Sequence, residues 1–291
     1  MLSSRSIVTA ALACCLAASA CADRDPPTAT PSAVLHRDDI ALGAPVDITL
    51  RFRLARGAAP LAGNHRVLLR FLFDDGTVMA SYDHDPPTTA HEWQPETTVT
   101  YTRRIFAPEI PYVGDVPVVV GLVSSSGKRL RLFGREVGDR MYEVARFKLH
   151  ARRILVVPLD GWHRQEGDGE GGYRWTQSRA TLTFRNPRQD SVLHLRLSAQ
   201  PDVFPAPQQA SLHIGSRALH TFPVAANQTD YQMPFTAADF GADDEVLVTI
   251  AVDRTFVPAE AQKGGDHREL GIRVHNMFLE TSGVRTDRGI H

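Results

Sequence analysis

Cysteine is nearly absent: among 291 residues only Cys14, Cys15 and Cys21 carry a thiol, and all three precede residue 22. The chain after Cys21 therefore has no disulfide framework, no thiolate metal cluster and no cysteine nucleophile, so its stability rests on buried apolar surface. Beyond Ala20 no apolar run reaches the ~20 residues that a membrane-crossing helix needs. Nor is there a basic excess. Lys and Arg number 32 against 33 Asp and Glu, for a formal net charge of -1, which excludes nucleic acid as a partner. Also missing are the Gly-x-Ser-x-Gly elbow, the helical His-Glu-x-x-His pair and a phosphate-cradling glycine loop. The sequence offers no compact catalytic motif, and the expectation is of no cofactor and no resident metal.

What is present begins at the N-terminus. Arg5 gives a small positive region, Ile7 to Ala20 is a run of apolar and small residues, and Ala18-Ser19-Ala20 precedes Cys21. That pattern predicts a secretory leader over residues 1–20, too short to span a bilayer. Small residues directly before a cysteine also resemble the lipobox of bacterial lipoproteins, with Ala18 where leucine is usual. The resemblance implies a lipid on Cys21, with ordinary cleavage after Ala20 as the alternative. Membrane attachment would then be through the lipid alone, on the periplasmic side of the envelope. In the lipoprotein sorting rule an aspartate immediately after the cysteine favours inner-membrane retention; here the aspartate, Asp23, is one position later, which favours the outer membrane. Asp23 to Ser32, rich in proline and polar residues, reads with Cys21 as a flexible tether over 21–33.

Beyond the tether the hydrophobic period is two. Val46, Ile48, Leu50, Phe52 and Leu54 alternate with Asp47, Thr49, Arg51 and Arg53, the pattern of a strand with one wet face. Similar segments run over Val67–Phe73, Val99–Ile105, Val116–Leu122, Arg129–Phe133 and Tyr142–Leu149, separated by Asp74-Asp75-Gly76, Asp85-Pro86-Pro87 and Ser125-Ser126-Gly127. A second series follows at Leu182–Phe184, Leu193–Leu197, Leu212–Ile214, Val246–Val252 and Leu270–Val274, with one helical turn at Thr236–Gly241. The fold class expected is all-β with two antiparallel β-sandwich domains. The first, over 34–151, is immunoglobulin-like without the cysteine pair; the second, over 152–281, is jelly-roll-like because its loops are longer, and 282–291 is a tail.

Two clusters hold the candidate ligand-binding residues. In Tyr82-Asp83-His84-Asp85-Pro86-Pro87, followed by His91 and Trp93, carboxylate and imidazole are suitable ligands for a divalent ion. Adjacent strand residues point to opposite faces, however, which favours Asp83 as a hydrogen-bond acceptor pinning the loop and Trp93 as packing beneath it. In the second cluster Gly161-Trp162-His163, Glu166 and Tyr173-Arg174-Trp175 combine aromatic faces with charged hydrogen-bonding groups, a mixture suited to a sugar ring. Alternation sends Trp175 into the core, while Trp162 either seals the domain junction or lies open. The ligand-binding candidates are Asp83, His84, Trp93, Trp162, His163, Glu166 and Arg174; no residue is assigned a catalytic role.

Asp83-His84-Asp85-Pro86-Pro87 with Trp93, Tyr112-Val113-Gly114, Gly127-Lys128-Arg129-Leu130, Gly161-Trp162-His163, Arg174-Trp175-Thr176 and Phe184-Arg185-Asn186-Pro187 together resemble the extracytoplasmic β-sandwich regions that accompany bacterial membrane glycosyltransferases of the dolichyl-phosphate-mannose mannosyltransferase-like type. Asp266-His267-Arg268-Glu269-Leu270-Gly271 is similar to an ending found in modules of cell-surface polysaccharide systems. The multi-spanning transferase portion is not in this sequence, so the resemblance implies an accessory role without transferase activity. Its expected partner is an envelope glycan or a glycan-handling protein. Two alternatives stand beside it: a structural or assembly lipoprotein that binds protein, and a metal-dependent hydrolase.

Overall fold

The computed structural model describes residues 25–58, 61, 63–261 and 265–281. The leader, Cys21 and the tail expected over 282–291 lie outside the described residues.

In chain order the first strands are β1 (Ala29–Leu35), β2 (Asp39–Ala41), β3 (Pro45–Leu54), β4 (His65–Leu72), β5 (Val78–Ser81), β6 (Thr98–Phe106), β7 (Gly114–Ser124), β8 (Arg135–Gly138) and β9 (Met141–His150). They form a sheet of order β1-β3-β6 and another of order β2-β9-β7-β4-β5, with β8 beside β9. Every pairing is antiparallel except β2 with β9, so the N-terminal segment is shared between the two sheets as in immunoglobulin-like sandwiches. Where antibody domains have a disulfide, this core has aromatic rings: Phe71 meets Tyr82 at 5.0 Å and Phe147 at 4.9 Å, and Phe52 meets Trp93 at 5.3 Å.

The remaining strands are β10 (Val157–Pro158), β11 (Arg174–Trp175), β12 (Arg179–Arg185), β13 (Ser191–Ser198), β14 (Gln209–Ile214), β15 (Arg217–Pro223), β16 (Thr229–Phe235), β17 (Glu245–Val252) and β18 (Arg273–Thr281). A sheet of order β10-β12-β17-β14-β15 faces one of order β11-β18-β13-β16 over a core that includes Leu182, Leu195, Leu212, Val248 and Ile272. The chain is thus all-β, built of two antiparallel sandwiches. The expected turn at Thr236–Gly241 is a short 3-10 helix, Ala237–Phe240. Its Asp239 carboxylate accepts hydrogen bonds from the Thr236 backbone N–H at 2.8 Å and hydroxyl at 2.7 Å.

Three expectations need correction. Residues 29–33, assigned to the tether, belong to β1 and pair with residues 50–54 of β3. Proline obscured this strand. Pro31 is tolerated because its missing N–H falls on the side away from β3, at the sheet edge. Arg129–Phe133 is not a strand: it is an irregular strap, whose Leu130 N–H bonds to Leu122 in one sheet while Phe133 N–H bonds to Ala29 in the other. Leu270 likewise precedes the last strand and makes only an isolated bridge to Phe256.

β13 is apolar on one face and polar on the other, yet buried on both. Leu193, Leu195 and Leu197 face the core of their own sandwich, so by alternation His194, Arg196 and Ser198 face outward; yet these three are 7%, 6% and 3% exposed. The first sandwich covers Arg196 and, through the Arg37–Glu280 pair, His194, while Ser198 is closed off by His275 of its own sandwich. Phe278 of β18 belongs to the core cluster of the first sandwich, and the Arg196 guanidinium sits 4.9 Å over the Phe106 ring.

Candidate functional site at the seam of the two sandwiches

Between the sandwiches lies a cleft of about 720 Å³. One wall is the Met79–Tyr82 run at β5 together with Phe106 to Ile110; the other is built from Gln165, Gly169, Glu170, Gly172 to Arg174 and the β18 run Val274 to Met277, while Arg152 and Leu155 to Pro158 form the crossing between sandwiches. Its volume falls in the ordinary range for small-ligand sites, and domain junctions are where such sites concentrate.

Arg196 holds the floor. Its Nε and Nη2 bond to the two carboxylate oxygens of Asp230 at 2.6 and 2.8 Å, and Nη2 also donates to the Arg104 carbonyl at 2.9 Å, across the seam. Glu170 completes the cross-link, accepting from Arg103 of the first sandwich at 2.6 Å and lying 3.5 Å from Arg196 Nη1. At the far side of the seam Arg37 meets Glu280 at 2.7 Å, and His194 Nε2 meets the other oxygen of the same carboxylate at 2.9 Å. The His194 hydrogen bond, aided by Arg37, outweighs burial and holds Glu280 at about 2, well below the ordinary carboxylate range. Since the folded value lies below the unfolded one, this group stabilises the fold above about 4.5 and the contribution is lost as pH falls towards 2. Urea midpoints taken between pH 5 and 2.5 will fall with acid in the wild type and fall less steeply in Glu280→Gln; equal slopes refute the clamp.

Most cleft-lining charge is already matched. Arg152 pairs with Glu109 at 3.2 and 3.3 Å, and Glu170 with the two arginines above. The Tyr82 hydroxyl donates to the Phe106 carbonyl at 2.7 Å, and burial pushes its pKa upward, so it stays neutral. His275 donates from Nδ1 to the Gly172 carbonyl at 3.2 Å and accepts at Nε2 from the Ser198 hydroxyl at 2.9 Å. Burial depresses its pKa and neutral imidazole results. This Ser–His pair does not make a nucleophile site, because Ser198 is 3% exposed and does not line the cleft. By contrast Arg174, Gln165 and Asn276 line the cleft, and their side chains have no partner among the described residues.

The sequence-derived candidates divide sharply. Asp83 accepts from the Leu69 N–H and from Arg70 Nη2, each at 3.1 Å, so it pins its loop. His84 is held between the Tyr82 carbonyl and the Tyr101 hydroxyl, both at 2.8 Å, and burial lowers its pKa. Among the described residues no three His, Cys, Asp or Glu side chains converge as a metal site. Trp93 is 1% exposed and donates its indole N–H to the Thr88 carbonyl at 2.9 Å, which removes it from any ligand surface. Trp162 is half-buried against the second core, and its indole N–H donates to the Thr181 carbonyl at 2.6 Å. Gly161 permits that approach: its φ is +79°, and a Cβ there would lie 1.9 Å from the Arg179 carbonyl oxygen. His163 Nε2 donates to the Glu269 carbonyl at 2.8 Å, and Glu166 pairs with Arg268 at 2.8 Å while accepting from the Tyr173 hydroxyl at 3.1 Å. Asp266 also pairs with Arg268 at 2.7 Å, so the Asp266–Gly271 segment is a loop clip. Trp175 is buried, with Arg273 stacked 4.6 Å over it.

Of the candidates, only Arg174 lines the cleft with a free side chain. Arg196, Glu170, Gln165 and Asn276 were not singled out by sequence. Arg196 left one signal, a charged residue inside an apolar strand, but alternation alone turns such a residue outward to water.

The chain matches no protein-family model and none of the curated proteins. Among solved structures it is similar to the CBM51-2 in complex with GlcNAc and INT domains from Clostridium perfringens ZmpB, with 8% identity and a TM-score of 0.24, over 57% of this chain and 38% of that one. It spans little more than a third of that protein's length. It is also similar to the N-terminal CBM22-1–CBM22-2 tandem domain of Paenibacillus barcinonensis Xyn10C, at 10% identity, TM-score 0.27, and 86% and 82% coverage. A third is the collagen adhesin of S. aureus, at 8% identity, TM-score 0.20, and 88% and 96% coverage. At such scores none of these likenesses says what this chain binds.

Proposed function

We propose that this protein is a non-catalytic accessory binding module of the cell envelope, exported and held by a lipid on Cys21, whose ligand is a glycan seated in the seam cleft. One observation carries the reading. Three side chains able to hydrogen-bond, Arg174, Gln165 and Asn276, line the same cleft without partners, beside the apolar groups of Met79, Pro108, Pro158 and Met277. Sugar recognition combines such polar groups with apolar surface for the C–H faces of the ring. Elsewhere in the cleft the charged side chains are paired and act as scaffold, and the exposed Ser81 hydroxyl is a fourth group without a partner among the described residues.

A glycan array probed with the chain from residue 22 onward tests this. Asn276→Ala combined with Gln165→Ala will reduce affinity for any hit at least tenfold while the unfolding midpoint moves little, because neither side chain makes a hydrogen bond among the described residues. A hit indifferent to both changes would place the ligand elsewhere and defeat the cleft reading.

A second reading, protein recognition through a strand edge, has one observation in its favour. On β6 the backbone groups of Thr98, Thr100 and Thr102 point away from β3, have no partner among the described residues and belong to exposed residues. The opposite edge of that sheet carries Pro31 and lacks this continuity.

A further inference from the structure

The cleft is lined by two carboxylates, Glu109 and Glu170, and three guanidiniums, Arg152, Arg174 and Arg196. Glu109 is taken by Arg152, and Glu170 by Arg196 and by Arg103, which reaches it from the first sandwich. Arg174 is the remainder. It is half-buried, no carboxylate lies within 4 Å of it, and no carbonyl or aromatic ring among the described residues receives it. A partly desolvated guanidinium without a counter-charge is unfavourable, and an anion that enters the cleft relieves that cost.

Its backbone is also fixed. Arg174 pairs with Val274 in the short β11–β18 ladder, and its neighbour Trp175 is wedged beneath Arg273, which in turn bonds to Gln200. On the other side Tyr173 is held by Glu166 and packs edge-on against His275 at 5.6 Å. The planar fork of an arginine matches the two oxygens of a carboxylate, and Gln165 and Asn276 supply both donors and acceptors for hydroxyl groups.

Resting on the glycan reading above, we propose that the cleft ligand is an acidic sugar, a uronate whose carboxylate lies on Arg174 while its hydroxyls meet Gln165 and Asn276. Its C–H face then lies against Met79 and Met277.

The test is calorimetric titration of the chain from residue 22 onward with tetragalacturonate, its fully methyl-esterified form, and inorganic phosphate. The acid will bind at least tenfold more tightly than the ester, and the difference will shrink as salt rises from 50 to 500 mM. Arg174→Gln will lower the acid to the affinity of the ester. Arg164→Gln, an exposed residue outside the cleft lining, will leave both unchanged. Equal affinity for acid and ester, with Asn276→Ala weakening both, overturns the acidic-sugar assignment while the glycan reading stands. Failure of every sugar here and on the array overturns both. Phosphate binding as tightly as the uronate and lost in Arg174→Gln overturns the sugar assignment in favour of a simple anion site.

Discussion

Replacing Arg196 by methionine will destabilise the protein by about 3–5 kcal/mol, the range found when one member of a buried ion pair is removed and the other remains. The side chain is 6% exposed and makes its bidentate bond to Asp230 beside a cation–π contact with Phe106 and a bond to the Arg104 carbonyl. Methionine fills similar volume, so the loss reports unpaired charge rather than a cavity. Asp230 would keep its charge in a largely covered place, and the Arg104 carbonyl would lose its donor. The double variant Arg196→Met, Asp230→Asn removes both charges and will recover part of the loss, because the desolvation penalty of the orphaned carboxylate disappears. Urea denaturation followed by tryptophan fluorescence measures both. A loss below about 1 kcal/mol in the single variant would mean that this pair behaves as a surface pair and that the seam is held by other contacts. Since Arg196 is also the floor of the cleft, ligand affinity will drop in the single variant even where the protein remains folded.

That residue shows where sequence reasoning runs out. The period-two pattern made β3, β12 and β17 legible, because each has one apolar face and flanking turn residues. Applied to β13, the same rule turns His194, Arg196 and Ser198 to the outer face, which is the face they occupy. What it lacked was the neighbour: a second sandwich covers that face, and no local pattern encodes which solvent-facing strand becomes an interface. β1 was hidden for a different reason. Its Pro31 counts against a strand unless its free side is known to lie at an edge. Strands such as β15 and β16 were obscured by polar composition, since Arg217–Pro223, at a sheet edge, has no buried residue and is mostly exposed. The candidate site was legible only in its middle third. Arg174 could be named from its aromatic neighbours, but Gln165 and Asn276 are chemically ordinary until topology brings them to one cleft.

Trp93→Ala will cost about 3–5 kcal/mol, the usual penalty for deleting a large aromatic from a packed core. Trp93 follows a short 3-10 helix, Ala90–Glu92, in the connection between β5 and β6, and its ring reaches down to Phe52 of β3. At 1% exposure it is among the largest fully buried side chains of the protein. The Thr88 carbonyl, in the same connection as Asp83 and His84, takes its indole N–H, and Phe52 of the three-stranded sheet meets its ring. Trp93→Phe separates its two contributions: the ring stays against Phe52, while the Thr88 carbonyl loses its indole donor, for about 0.5–1.5 kcal/mol. Urea midpoints will rank wild type above Phe above Ala. The tyrosine–histidine contact next to this loop, His84 with Tyr101 at 2.8 Å, links the same segment to β6. Loosening Trp93 will therefore speed hydrogen exchange from the Asp83 loop to β6 before it affects the second sandwich. Ligand affinity of folded Trp93→Phe will equal that of the wild type. Reduced affinity at an unchanged midpoint would show that the indole touches ligand, and that its enclosure in the core is not how the protein binds.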